Sequence, residues 1–148
     1  MVVSPKRITI FSDGGARGNP GPAAAGVFLE IPAEKLRLLC GKYLGINTNN
    51  YAEYQGVILG LKQALNFAEP GRAQVEFFLD SNLVVQQLNG LFKIKAPNLG
   101  PLVEQIRELE GKFTQVSYTH VPREKNYQAD RAVNLTLDSR QDFSKEIE

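Results

Sequence analysis

The strongest constraint on the fold is a change in hydrophobic periodicity near Tyr51. Before this point, residues 8–13, 23–31 and 36–44 have strand-like patterns, with Val27, Leu29 and Ile31, for example, on one face. The connections are short, so these strands are predicted to form an antiparallel meander. After Tyr51 the apolar spacing becomes that of an amphipathic helix, which Pro70 and Gly71 are expected to end.

The rest of the chain alternates between strand and helix patterns. An apolar strand over 75–79 precedes helices over 83–88 and 99–110, a strand over 115–121 and a helix over 126–137. This order predicts an α/β fold with a mixed five-stranded sheet, three antiparallel strands followed by two parallel ones, and flanking helices. The polar tail after Asp138 is expected to be frayed.

Size and composition predict one domain over residues 1–148, with its core at about 7–138 and a short polar tail. Seventeen basic and sixteen acidic residues give a net charge of +1, so a polyanion would have to be held locally. The single cysteine, Cys40, excludes an intramolecular disulfide and a cysteine-rich zinc site. We therefore expect a core position for Cys40 and a cytoplasmic protein. No apolar stretch is long enough to span a membrane.

Two aspartates follow strand patterns. Asp13 ends the first strand before a run of glycines and prolines, and Asp80 ends the strand over 75–79. Sites in open α/β sheets gather outside the carboxyl ends of parallel strands, so the two carboxylates are expected at one edge. Simpler roles remain open, because Asp13 could cap a turn and Asp80 could be the N-cap of the next helix.

Two further carboxylates lie on predicted helices. Glu53 precedes Val57 and Leu61 by one and two turns, which places it on the stripe facing the sheet. It could instead form a capping box with Asn50. Asp130 lies at the margin of the apolar stripe of the last helix, and could also face solvent. A convergence of these four carboxylates would favour divalent cations such as Mg²⁺, and two such ions can promote phosphodiester hydrolysis.

Two other phosphate chemistries are excluded by the residues after Asp13. No Gly-Lys-Ser/Thr follows the glycines, as a P-loop requires. An aspartate-nucleophile phosphatase needs a second aspartate two residues on, where this chain has Gly15.

Four segments resemble, in order and spacing, the signature motifs of the type 1 ribonuclease H family, also called ribonuclease HI. They are FSDGGARGNPG at 11–21, TNNYAE at 48–53, LDS at 79–81 and NYQAD at 126–130. The resemblance extends over about residues 7–138 and implies a metal-dependent endonuclease. Such an enzyme hydrolyses the RNA strand of an RNA/DNA hybrid and leaves a 5′-phosphate and a 3′-hydroxyl.

The resemblance also implies roles for individual residues. Asp13, Glu53, Asp80 and Asp130 would be both catalytic residues and ligands of two Mg²⁺ ions, with Mn²⁺ as a possible substitute. The resemblance further implies contacts with the RNA backbone or bases, made by Gly14, Gly15, Asn19, Asn49 and Asn50. Asn49 and Asn50 could also serve as helix-start residues. We expect a monomer whose partner is an RNA/DNA hybrid.

The chain departs from the larger family members in two places. Residues 93–97 stand where those members have a basic, tryptophan-containing protrusion, and this chain has no tryptophan. It therefore resembles the shorter members, and weaker or more salt-sensitive hybrid binding is expected. The family's auxiliary histidine corresponds in spacing to His120, but Arg123 is an equal candidate, and either could be an ordinary surface residue. A non-catalytic nucleic-acid-binding module on the same fold is the alternative function.

Overall fold

The computed structural model describes residues 4–148, so residues 1–3 of the predicted domain lie outside the described part. The strands are β1 (Lys6–Ala16), β2 (Gly21–Ile31), β3 (Leu36–Asn47), β4 (Ala73–Leu79), β5 (Gln115–His120) and β6 (Phe143–Glu146). The α-helices are α1 (Asn49–Ala64), α2 (Asn82–Leu88), α3 (Gly100–Glu110) and α4 (Tyr127–Ser139). Short 3₁₀ turns occupy Pro32–Glu34, Pro97–Leu99 and Arg123–Lys125.

The strands form one mixed sheet in the order β5-β4-β1-β2-β3-β6. Strands β1, β2 and β3 are antiparallel neighbours, whereas β4 runs parallel to β1 and to β5. The predicted α/β class, with three antiparallel strands followed by two parallel ones, is confirmed. Cys40 is buried in this sheet, as predicted.

The prediction of a frayed tail was wrong, because the sheet has a sixth strand. β6 pairs antiparallel with β3, from Gly41 opposite Phe143 to Leu38 opposite Glu146. A Cβ atom at Gly41 would lie 2.7 Å from Cε1 of Phe143, so the ring packs directly over the glycine. Pairing with the free edge of β3 and the packing of Phe143 and Ile147 against a small core cluster therefore order a segment whose other residues are polar.

Two predicted boundaries were also wrong. β1 does not break into a loop after Asp13 but continues to Ala16, where Gly14 and Gly15 pair with Ala25 and Ala24 of β2. α1 ends at Ala64 rather than near Pro70, and the amides that follow form four-residue turns, for example from Phe67 N to Ala64 O. Tertiary pairing and packing decide both ends.

The helices cover both faces of the sheet. Ile8 and Ile10 of β1 belong to the main core cluster, together with Val57 and Leu61 of α1. Phe11, on the opposite face, packs in a smaller cluster with Ala132 of α4. Side chains alternate along β1 in this way, so Asp13 shares the α4 face with Phe11, as the period of two predicts. Among residues 4–148, no helix combines the length and hydropathy needed to cross a membrane.

Candidate active site

The register of two parallel strands brings Asp13 and Asp80 to the same edge of the sheet. The β1–β4 ladder ends at Phe11 opposite Phe78, whose rings stack 5.1 Å apart. Asp13 and Asp80 each lie two residues further along their strands, so the pairing carries both carboxylates past the end of the ladder. Asp80 follows β4 directly, as expected for a residue at the carboxyl end of a parallel strand.

Helix α4 brings Asp130 to this edge from one face. Gly26 of β2 pairs with Asp13, and a Cβ atom there would lie 2.5 Å from the carbonyl oxygen of Ala129 and 2.7 Å from N of Val133. The absence of a side chain at Gly26 therefore lets α4 lie against the sheet beside Asp13. Asp130 is in the first turn of α4 and is only partly exposed, rather than facing open solvent.

Helix α1 brings Glu53 from the other face, again through close backbone packing. A Cβ atom at Gly14 would lie 2.1 Å from the carbonyl carbon of Ala52 and 2.3 Å from N of Glu53. A Cβ atom at Gly56 would lie 2.6 Å from the carbonyl oxygen of Asp13. β1 and the first turn of α1 are thus in backbone contact, which fixes Glu53 next to Asp13.

Neither helix cap uses the carboxylates. Thr48 is the N-cap of α1, since its Oγ1 accepts a hydrogen bond of 3.2 Å from N of Tyr51. Ser81 is the N-cap of α2 and accepts from N of Val84 at 3.3 Å. The capping alternatives for Glu53 with Asn50 and for Asp80 were therefore wrong, and both carboxylates need another explanation.

The four carboxylates line one cleft of about 530 Å³. Arg17, Asn49, Ser81, Arg123 and Asn134 are among the other residues around it. A larger cavity, of about 1550 Å³, lies at the amino-terminal end of β1 and contains none of the predicted site residues. We assign the site to the smaller cleft because the acidic side chains converge there.

Burial and mutual repulsion perturb two of the carboxylates. Burial, followed by the charge of Asp80 and then by Asp130 and Glu53, raises the pKa of Asp13 to about 8 despite a hydrogen bond from N of Gly14. Burial likewise raises the pKa of Glu53 to about 7, with Ser81 and Arg123 lowering it and Asp80 raising it. Without a metal ion, the surroundings of the cleft therefore favour the neutral forms of Asp13 and Glu53 over the charged forms.

The donor chemistry of the cleft fits a hard divalent cation. Carboxylate oxygens are the ligands that Mg²⁺ prefers, and a cation would offset both the burial and the repulsion that raise the two pKa values. Within residues 4–148, no three Asp, Glu, His or Cys side chains are close enough together to enclose a metal ion as they stand. Asp13, Glu53, Asp80 and Asp130 are the ligands that the cleft offers to a cation.

The two candidate auxiliary residues differ in position. Nε of Arg123 lies 4.0 Å from Oδ2 of Asp80, and the arginine side chain is 88% exposed whereas that of Asp80 is 15% exposed. Its guanidinium is thus beside the acids and still available to a ligand. His120 ends β5 opposite Leu79 and is exposed. It is not among the residues that line the cleft.

The asparagines predicted to contact substrate form a small network beside the cleft. Oδ1 of Asn49 accepts a hydrogen bond of 2.8 Å from N of Ala16, and N of Asn49 donates to Oδ1 of Asn19 at 3.0 Å. Both side-chain oxygens are therefore occupied, which leaves the two NH₂ groups as the donors. Asn49, Gly14 and Gly15 line the cleft, whereas Asn19 and Asn50 lie outside its lining.

Sequence reasoning assigned no role to Ser81, the N-cap of α2, or to Asn126. Asn126 is fully buried, and its Nδ2 donates to the carbonyl oxygen of Ser12 at 3.0 Å. This bond ties the residue before Asp13 to the start of α4, and N of Asp130 in turn bonds to the carbonyl oxygen of Asn126. Asn126 therefore positions Asp13 and Asp130. Its place four residues before Asp130 was the sequence signal that could have revealed this role.

Comparisons with known proteins identify the family of this chain. The family described as "Reverse transcriptase-like" matches residues 11–136. A bifunctional protein of Mycobacterium tuberculosis is 39% identical over 134 residues, covering 90% of this chain and 36% of that protein. The chain thus spans about a third of the length of that relative.

Two solved structures are similar over almost their whole length. Ribonuclease H1 of Halobacterium salinarum has a TM-score of 0.82 at 38% identity, covering 90% of this chain and 98% of that one. LC11-RNase H1, solved in complex with an RNA/DNA hybrid, has a TM-score of 0.83 at 37% identity with the same coverage. With the four motifs gathered at one sheet edge, the chain belongs to the reverse transcriptase-like family and, within it, to the type 1 ribonuclease H group.

Proposed function

We propose that this protein is a ribonuclease H, a metal-dependent endonuclease that hydrolyses the RNA strand of RNA/DNA hybrids. The convergence of Asp13, Glu53, Asp80 and Asp130 on one cleft carries the proposal, because four acids facing a polyanion make sense only with cations between them. Family membership supports it, as does the hybrid bound to LC11-RNase H1.

The acidic residues would hold two Mg²⁺ ions, with Mn²⁺ as a substitute. When bound, the cations supply Lewis-acid stabilisation of the charge that develops as the phosphodiester is displaced. Asp13 and Glu53, whose pKa values are raised to about 8 and about 7, would become fully ionised at neutral pH only with a cation beside them. The expected products carry a 5′-phosphate and a 3′-hydroxyl.

Recognition of RNA would come from the strand end and loop beside the acids. The NH₂ groups of Asn49 and Asn19 are free to donate to RNA oxygens, because the amide oxygens bind N of Ala16 and N of Asn49. A Cβ atom at Gly15 would make only an ordinary contact, 3.8 Å from Cγ1 of Val133. The wide minor groove of a hybrid, with its 2′-hydroxyls, suits such short donors and exposed backbone. Asn50 would contribute a further polar contact.

An auxiliary residue would hold the phosphate or move a proton near the acids. Arg123 is the better placed, since its exposed guanidinium lies 4.0 Å from Asp80 and can form paired hydrogen bonds with a phosphate. His120 remains the second candidate, at the carboxyl end of β5 one register position before Asp80. The short loop over 93–97 offers few phosphate contacts, so hybrid affinity is expected to be modest and salt-sensitive.

Cleavage of an end-labelled RNA/DNA hybrid with Mg²⁺ tests the proposal, beside matched single-stranded RNA and duplex DNA. Asp80→Asn and EDTA should each abolish cutting. Glu108→Gln, the same loss of a carboxylate at an exposed position on α3, should leave it intact. If folded protein binds the hybrid but does not cut it with Mg²⁺ or Mn²⁺, the protein is a binding module rather than a nuclease.

A further inference from the structure

The wall of the cleft formed by α4 carries a polar stripe that extends beyond the carboxylates. Asp130, Asn134 and Asp138 are spaced by four residues, so they lie on one face of α4 along about 12 Å of its axis. Nδ2 of Asn134 donates to the carbonyl oxygen of Asp130 at 3.1 Å and lies 3.4 Å from its Oδ2. Asp138, at the outer end of the stripe, is 67% exposed.

Arg17 faces this stripe from the connection between β1 and β2. Its backbone N donates to the carbonyl oxygen of Pro22 at 2.8 Å, which fixes the main chain four residues after Asp13. Its Nη2 lies 2.7 Å from Oδ1 of Asp138 and 3.5 Å from Oδ1 of Asn134. Within the described chain, these contacts use only one of the three guanidinium nitrogens.

This contact is a weak one for an arginine that lines the cleft. Both partners are largely exposed, the arginine side chain to 49%, and exposed ion pairs contribute little to stability. The guanidinium makes a single hydrogen bond to a carboxylate, although its planar geometry allows two parallel hydrogen bonds to a phosphate. Without Arg17, Asp138 would add an unpaired negative charge to a wall that a nucleic-acid backbone must approach.

We propose that Arg17 binds a backbone phosphate of the strand being cut, at the α4 wall of the cleft, and that this phosphate replaces Asp138 as its partner. The inference rests on the proposed function, because it assigns a contact to the same nucleic acid. Asp138 holds the guanidinium in place when the cleft is free and competes with the phosphate for it. Arg17 and Arg123 then both line the cleft that holds the carboxylates.

Binding of an RNA/DNA hybrid to the non-cleaving Asp80→Asn protein tests this, with Mg²⁺ present and salt varied from about 50 to about 200 mM. Arg17→Gln should lower the salt dependence, the slope of log affinity against log salt, by about one, the effect of a lost phosphate contact. Asp138→Asn should instead tighten binding about two- to fivefold, because the competitor is removed while Arg17 remains.

Arg72 and Glu69 provide matched controls. They form an exposed ion pair of 3.5 Å just before the amino-terminal end of β4, at the opposite edge of the sheet from the acids. Arg72→Gln and Glu69→Gln change the net charge by the same amounts and should leave the slope unchanged. In the cleaving protein, Arg17→Gln should raise KM with little change in kcat, as expected for a contact equally strong in ground and transition states.

Three outcomes would overturn the inference. If Arg17→Gln and Arg72→Gln show the same slope of log affinity against log salt, Arg17 binds no phosphate. If Arg17→Gln and Asp138→Asn lower the melting temperature together and leave affinity unchanged, the pair merely joins the β1–β2 connection to α4. If the Asp80→Asn protein binds no hybrid at all, the proposed function itself fails. Arg17→Lys guards against misfolding of the glutamine variant, because it keeps the charge and should retain the slope with a smaller loss of affinity.

Discussion

Replacement of Gly14 by alanine tests whether backbone contact between β1 and α1 is what places Glu53 beside Asp13. The new Cβ would lie 2.1 Å and 2.2 Å from the carbonyl carbon and oxygen of Ala52, and 2.3 Å from N of Glu53. These are backbone atoms in the first turn of α1, so no side-chain rotation relieves the contact. The helix must move by about 1 Å to restore normal separations.

The expected cost follows from this displacement. Overpacking commonly costs about 1–3 kcal/mol, and we expect the upper end because a helix packed on the sheet has to shift. For a chain of this size, about 3 kcal/mol corresponds to a fall of roughly 10 °C in melting temperature. A displacement of about 1 Å between Glu53 and Asp13 should lower kcat about a hundredfold.

Gly15→Ala is the matched control for this variant. The same chemical change one residue later meets nothing nearer than Cγ1 of Val133 at 3.8 Å, an ordinary contact. Its melting temperature should stay within about 2 °C of the parent, while KM for the hybrid rises if RNA approaches Gly15. Thermal unfolding followed by circular dichroism and steady-state kinetics distinguish Gly14→Ala from Gly15→Ala. Equal melting of both variants, with kcat preserved in Gly14→Ala, would refute the idea that this contact positions Glu53.

Three further changes address electrostatics, catalysis and the sheet edge. In EDTA, the free energy of unfolding of the parent should fall as pH rises from about 4 to about 8. The reason is that the unfolded chain releases the Asp13 proton at the ordinary aspartate pKa of 3.8, whereas the folded protein releases it only at a pKa of about 8. Asp13→Asn should flatten that fall and be about 1–3 kcal/mol more stable at pH 8, part of the repulsion being screened by water; urea titrations with unchanged pH dependence would contradict this. Arg123→Ala should lower kcat/KM about tenfold, more than His120→Ala does, and near-parental rates in both would remove both from the mechanism. Phe143→Ala should lower the free energy of unfolding by about 1–2 kcal/mol where Lys145→Ala on the same strand does not; equal melting temperatures would show that β6 adds no stability.

The order of strands and helices could be predicted because the apolar periods are long and distinct. β2 and β3 are long strand-like segments rich in apolar residues, and the helical stripe of α1 begins only after them. The acidic edge could be predicted for a related reason. Asp80 ends a parallel strand, and the carboxyl ends of parallel strands meet at one edge.

What could not be predicted depends on contacts between distant segments. β6 is short and polar apart from Phe143, and its order comes from Gly41 and from pairing with β3. The continuation of β1 through Gly14 and Gly15 depends on the alanines of β2 opposite them, because glycines alone favour a loop. Local secondary-structure propensity predicts neither β6 nor the continuation of β1.

Three glycines explain how the acids are held together. Gly14 and Gly56 allow α1 to touch β1, and Gly26 allows α4 to touch β2, each at a distance that a Cβ atom would prevent. Burial and then the repulsion from the neighbouring Asp80 raise the pKa values of Asp13 and Glu53 without a cation. Packing from both faces therefore has to offset that repulsion in the metal-free protein. Mutations that weaken this packing should accordingly reduce activity by displacing the acids before the protein unfolds, whereas removal of an acid should abolish activity and stabilise the fold.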